Sequence, residues 1–289
     1  MKNLKIKIIF SFLWLLIAIR CEKNLDDNIL EPKSIHIKSA KNVILIDNVL
    51  TDLYKNIIKG GIFLEKYIKN LDTIINLDEC LEILIEDSFT IKGDTIVWPI
   101  NLILNYGENN CICDDGNYRK GKIRIEFSNF YKDSFSIIKL STENYYINNN
   151  LINCEIKLKN EGITNNAIKF KELANGGKIK MLNGIEIEWT SEQELLWAKG
   201  KETYNLKDDN YEVDGQKFIT IDDHRNERLE IKCKVIKELN FNNECKWIIS
   251  GLVGIEVGED YFKLDYGNNR CDNIVSTILD RGEYNIIWW

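Results

Sequence analysis

Cysteine offers the most chemistry in this chain, with eight thiols among 289 residues. Cys80 with Cys111, and Cys245 with Cys271, are candidate disulfides, because each pair brackets a predicted hairpin. If the turn of the second hairpin is centred on Gly258, Cys245 faces Cys271 and Leu252 faces Leu264, while Phe262 covers Gly254, whose missing side chain leaves room for a ring. Cross-strand Cβ atoms lie about 4.5–5.5 Å apart and a disulfide needs about 3.5–4.5 Å, so this pairing asks for a small adjustment or a bulge. Cys154 and Cys233 fall on apolar strand phases, beside Ile156 and Leu158 and between Ile231 and Val235, and read as small core residues.

Other chemistry is thinner. The two histidines are His36 and His224. Asp222, Asp223 and His224 are suitable metal donors, but the run from Ile221 to Arg228 also reads as a charged loop between two strands. Cys111 and Cys113 with Asp114 and Asp115 lack a second cysteine pair spaced to complete a tetrahedral site. No metal or cofactor is expected. Neither a nucleophile elbow, a zincin helix motif nor a phosphate-binding loop occurs. A glycosidase-like carboxylate pair is compatible with the many acids, yet Glu186, Glu188, Glu230 and Glu256 lie on polar strand phases, where charges are normally solvated. Trp98, Trp189, Trp197 and Trp247 mostly fit core phases, with a carbohydrate- or peptide-stacking platform as the alternative. No catalytic residue is expected.

The elements that must position these groups change character along the chain. Residues 1–20 read as a signal peptide: Lys2, Lys5 and Lys7 precede an apolar run from Ile8 to Ile19. A helix needs about 20 apolar residues to span a bilayer, so the run suits a signal h-region instead. Cys21 follows at once and resembles the acylated cysteine of a lipobox, with Arg20 where a lipobox carries a small residue. Lipidation of Cys21 is therefore expected, followed by a flexible tether over 21–40. Its acidic start resembles the surface-export signal of Bacteroidetes lipoproteins, or is a plain solvated tether. With Cys21 acylated, seven cysteines remain, so at least one thiol is unpaired.

A helical segment is expected over 41–78. Ile46, Leu50, Leu53 and Ile57 share one helix face, Gly60 and Gly61 interrupt, and Leu64, Ile68, Leu71 and Ile75 resume the spacing. This predicts a helical hairpin or one kinked helix, with an apolar stripe packed on a sheet. From residue 79 to 289 the period becomes two, as in Lys122–Phe127, Glu186–Trp189 and Glu230–Val235. Asn183-Gly184 marks a hairpin, and Asp214-Gly215 and Lys92–Asp94 mark further turns. About a dozen short strands joined by tight turns imply an antiparallel sheet or sandwich. The final Ile286–Trp289 resembles the closing strand of an outer-membrane barrel, but the largely polar outer phases argue against a spanning barrel. It reads as a last, buried strand.

An internal repeat lies within this β domain. Leu102–Cys111 echoes Phe262–Cys271: each is a strand ending in Asn/Asp-Tyr-Gly, then a polar turn and a cysteine. These islands, with Trp98-Pro99, the Arg119–Ile123 strand and Trp247–Gly251, resemble a family of envelope lipoproteins from the Bacteroidetes. The resemblance implies an envelope lipoprotein with a β-rich fold and supplies no activity.

Composition bounds the partners. A 44% apolar and 29% charged chain is ordinary for a folded protein, and a net charge of -7 argues against nucleic-acid binding. The expectation is a non-catalytic protein of the cell envelope, held at the outer membrane by its lipid and facing the periplasm or the surface. It would act as a structural or ligand-binding module with an envelope protein or glycan partner. The alternatives are an envelope-polysaccharide hydrolase and a subunit of a larger envelope complex.

Overall fold

The computed structural model describes residues 33–69, 78–86, 96–222, 228–280 and 282–287. The signal peptide, Cys21, Leu71, Ile75, Lys92–Asp94 and His224 lie outside the described residues. Within them, the protein is mainly β: one large antiparallel sheet of fifteen strands and one long helix.

Helix α1 runs from Ser34 to Ile68, 35 residues, or about 52 Å at 1.5 Å per residue. It begins inside the expected tether and passes through Gly60-Gly61 as one continuous element, so neither the tether boundary at residue 40 nor the interruption holds. Glycine costs about 1 kcal/mol relative to alanine inside a helix, and close packing explains its presence here. A Cβ on Gly60 would sit 3.3 Å from Ile125 Cδ1, and one on Gly61 would sit 2.6 Å from Tyr131 Cβ. The helix also buries more than one stripe: Val49, Leu53, Ile57, Val43, Ala40, Ile58 and Ile44 point around more than half of its circumference, and all are buried. Only a narrow row including Lys41, Leu45, Asn48, Asp52, Lys55 and Lys59 escapes full burial.

That burial is possible because the sheet curls around the helix. Its first part comprises β1 (Glu82–Glu86), β2 (Ile100–Asn105), β3 (Cys111–Ile112), β4 (Tyr118–Phe127) and β5 (Ile137–Ile147). β6 (Asn150–Asn153) and β7 (Glu155–Thr164) form one interrupted strand between β5 and β8 (Ala167–Lys180). Then come β9 (Glu186–Lys199), β10 (Asn210–Asp222), β11 (Arg228–Asn242), β12 (Ser250–Val257), β13 (Asp260–Asn268), β14 (Ile274–Leu279) and β15 (Gly282–Ile287). Neighbours pair mostly in sequence order. The helix nevertheless reaches both halves, from Leu102 on β2 beside Gly60 to Tyr266 on β13 beside Asp47. Strand twist, reinforced by bulges in β5, β8 and β11, supplies the curvature.

Asp214-Gly215 is not a turn: β10 continues through it in register with β9, opposite the bulge of β11, with Gly215 at φ 133° against the Glu192 carbonyl. Asn183-Gly184 does turn the chain, placing Lys180 opposite Glu186. The β12–β13 hairpin differs by one residue from the expected register. Val257 pairs with Asp260, so the loop is Gly258-Glu259, and Val253 faces Leu264 while Ile255 faces Phe262. The ring over Gly254 is therefore Tyr261, whose Oη lies 2.9 Å from where a Cβ would stand. β15 is an edge strand with Ile286 inward and Ile287 half exposed, so it is less buried than expected. A ladder of rings fills the interior, Phe170, Tyr131, Trp197, Tyr211 and Phe241, with successive centroids 4.7–5.6 Å apart.

Candidate functional site

The curled sheet brings charged and polar side chains onto the enclosed helix, and each must find a partner there. Asp47 receives the ammonium of Lys217 and, at 2.6 Å, the hydroxyl of Tyr266. Nine residues further along α1, Asn56 Oδ1 receives the hydroxyl of Tyr106, also at 2.6 Å. These tyrosines are the equivalent residues of the sequence repeat. In both copies the preceding side chain accepts the following glycine N–H, Asn105 to Gly107 at 3.1 Å and Asp265 to Gly267 at 2.8 Å. Both glycines adopt positive φ, 77° and 87°, which glycine tolerates best. The repeat is a device that turns the chain after a tyrosine whose hydroxyl clamps the helix.

Between these clamps lies the densest polar cluster. Arg119 on β4 forks onto two carboxylates: Asp52 Oδ1 at 2.5 Å, and both oxygens of Asp115 at 2.7 and 2.6 Å. Asp52 Oδ2 also accepts the Tyr145 hydroxyl at 2.8 Å. Burial works to raise the Asp115 carboxyl, but the hydrogen bonds and charge of Arg119 hold it well below the usual range. Burial likewise works against the guanidinium charge, and Asp52 and Asp115 overcome it.

A cavity of about 120 Å³ opens beside this cluster on the row of α1 that the sheet leaves uncovered. Helix residues Leu45, Asn48, Val49, Asp52 and Lys55 form its floor. One wall is the segment carrying Asp115 and Asn117, and another is the β5–β6 turn, where Asn148 and Asn149 take positive φ of 49° and 65°. The last wall is Lys246 and Trp247. Both disulfides are present, and each anchors one wall. Cys80–Cys111, with Cα atoms 5.7 Å apart, starts the segment that leads to Asp115. Cys245–Cys271, at 5.6 Å, fixes the residue before Lys246. Cys245 precedes β12 and Cys271 follows β13, so this bond joins loops at the hairpin's base and not facing strand residues.

Lys55 is only half-buried as a residue, but its ammonium is enclosed, donating to the Cys245 carbonyl at 2.5 Å. Burial lowers its pKa to about 8, with Asp52 partly opposing. Burial also lowers Lys246, whose ammonium lies 4.7 Å over the Trp247 ring. Trp189 and Trp197 are buried as expected, whereas Trp247 is half-buried and faces this cavity.

The other sequence candidates fall elsewhere. Glu186 and Glu188 pair with Lys178, and Glu230 with Arg228, as solvated side chains. Cys154 and Cys233 are buried free thiols, and Cys113 is a third. Asp78, Cys80 and Cys113 hold a carboxylate oxygen and two sulfurs within 4.8 Å of one another. Those donors are committed: Cys80 is bonded to Cys111, and the Asp78 oxygens accept the Cys80 and Asp114 N–H groups. Arg119, Lys217 and Glu172 were not singled out by sequence reasoning. A signal existed, because Lys217 shares the phase of buried Ile219 and Ile221 while Phe218 points outward.

No family model, curated protein or solved structure matches the chain. Fold and site together define a curled antiparallel sheet around a central helix, with a polar, disulfide-walled cavity on the helix's open side.

Proposed function

We propose that this chain is an exported, lipid-anchored protein of the cell envelope that acts as a non-catalytic binding module, with the cavity beside Asp52 as its ligand site. The cavity carries the binding reading. It joins a half-buried tryptophan, several amides and two ammonium groups in one recess, the mix of apolar surface and few oriented polar groups that small-ligand sites use.

The non-catalytic reading is supported by the state of the carboxylates. A glycosidase needs an acid with a raised pKa beside a second carboxylate. Asp52 and Asp115 are both tied to Arg119. The acids that burial raises most, Glu172 to about 8 and Asp209 to about 7, are closed off from solvent and line no part of the cavity. Export is supported by the lysine-led apolar run before Cys21 and by two disulfides, which persist in oxidising compartments.

The test is metabolic palmitate labelling of the wild type and Cys21→Ala, with protease shaving of intact cells. Label that disappears in the variant supports the anchor, and shaving of the wild type then distinguishes a surface-facing from a periplasmic protein. Absence of label in both removes the anchor.

A further inference from the structure

Charge is unevenly matched around the cavity. Its two carboxylates, Asp52 and Asp115, are both engaged by the single guanidinium of Arg119. Lys55 and Lys246 line the same space, and neither has a carboxylate in ion-pair contact among the described residues. Two carboxylates against three cations leave one positive charge over, in a chain whose net charge is -7. An enclosed cation without a counter-ion is costly, and an anion entering the cavity would relieve that cost.

The remaining lining describes the body that carries the anion. Trp247 adds an aromatic ring to the lining, with the Lys246 ammonium 4.7 Å over one face, and the rest of an indole's surface suits the C–H face of a sugar or another flat apolar surface. Asn48, Asn117, Asn148 and Asn150 surround it with neutral amides, which both donate and accept and so match hydroxyl groups. The Asn48 Nδ2 group is enclosed and has no hydrogen-bond partner among the described residues, leaving a donor unmatched at the cavity. A lone inorganic ion would use the ammonium groups and leave the ring and amides unmatched.

We propose that the cavity binds an acidic sugar, a pyranose bearing one carboxylate, with the carboxylate between Lys55 and Lys246, the ring face on Trp247 and the hydroxyls on the asparagine amides. This rests on the cavity being the ligand site. A charge-assisted hydrogen bond contributes about 1.5–3 kcal/mol, or about 10–100-fold in affinity. The neutral parent sugar should therefore bind at least about tenfold more weakly.

The experiment titrates full-length protein in detergent with glucuronate, galacturonate, their neutral parent hexoses and inorganic phosphate, using calorimetry and ligand-detected NMR. Saturable uronate binding, about tenfold or more weaker for the hexoses and for Lys246→Met, supports the proposal. Lys246→Met is the primary variant because Lys246 is a half-buried loop residue, whereas Lys55→Met also removes the bond to the Cys245 carbonyl. Hexoses binding as well as uronates would overturn the acidic class while leaving the binding module intact. Phosphate binding without uronate binding would overturn the sugar and leave an anion site. Uronate affinity unchanged in Lys246→Met would overturn this placement. No binding by any of the three classes would overturn both this inference and the cavity as the ligand site.

Discussion

Glu172 is fully buried on β8, with Ser191 Oγ donating to one carboxylate oxygen at 2.9 Å. Burial dominates and pushes its pKa from 4.5 up to about 8, against the opposing influence of Ser191 and Lys217. Below pH 4.5 the folded and unfolded chains both hold this proton. Between 4.5 and about 8 the unfolded chain releases it and the folded chain keeps it. Stability from this group therefore falls as pH rises through that window and levels off above it. With each pKa unit equivalent to about 1.4 kcal/mol, the loss between pH 5 and pH 8 is of order 3 kcal/mol. Glu172→Gln keeps an oxygen for Ser191 and has no proton to lose. Denaturant titrations should show the variant gaining on the wild type by about that amount at pH 8, with little gain at pH 5. Equal differences at both pH values would mean that Glu172 ionises freely in the fold. The same position shows what alternation can disclose: Phe170, Glu172 and Ala174 share the inward phase while Leu173 points out. A charged residue on an apolar phase is readable as buried. Its partners are not, because Ser191 and Lys217 belong to other strands, and their proximity depends on register.

Gly60 and Gly61 separate propensity from packing within α1. Replacing either with alanine should favour the helix by about 1 kcal/mol on propensity alone. At Gly61 the new methyl would meet Tyr131 Cβ at 2.6 Å, and that atom is fixed by a ring stacked on Phe170. At Gly60 it would meet terminal methyls alone, Ile125 Cδ1 at 3.3 Å and Leu102 and Leu104 Cδ1 at 3.5 and 3.7 Å. Overpacking costs about 1–3 kcal/mol where neighbours cannot move. Gly61→Ala should thus lose about 1–2 kcal/mol in a denaturation curve, while Gly60→Ala stays near neutral or gains slightly. The reverse order would show that helix propensity, and not sheet approach, governs the pair. This is why the sequence pointed to a break that does not exist. The 3.6-residue spacing of Ile46, Leu50, Leu53 and Ile57 located the helix, but paired glycines look alike whether the chain turns or a neighbour comes close. The hairpin register failed for a related reason. Gly258 correctly marked the turn, yet a two-residue loop moves the turn centre to the following bond, which changes every facing pair by one. The Cys245–Cys271 pairing was argued from that same register, yet the bond forms all the same, because both cysteines lie in loops just beyond the paired strands and are not held to the strands' register.

A sheet of fifteen strands wrapped on one N-terminal helix gives the whole molecule many contacts between residues far apart in sequence. Such contacts are made only after long loops close, so the entropy of the unfolded chain weighs heavily against the fold. The two disulfides act on that entropy, spanning 31 and 26 residues near opposite ends of the sheet. Loops of this length correspond to about 3–4 kcal/mol per bond in the chain-entropy account. The bonds lie in different halves of the strand order, and each also holds one wall of the cavity. Reduction should therefore separate two effects. Cys271→Ser should lower the midpoint of thermal unfolding by about 10 °C, and Cys111→Ser by a similar amount. Because both walls border one space, either variant should also weaken ligand binding at temperatures where the sheet is still intact by circular dichroism. A variant that loses stability but binds normally would show that the disulfides serve the sheet alone, with the cavity walls held by Arg119 and by Lys55 on the Cys245 carbonyl. A variant that binds weakly at unchanged stability would show the reverse: bonds placed to shape the site, in a fold that α1 and its tyrosine clamps hold together without them.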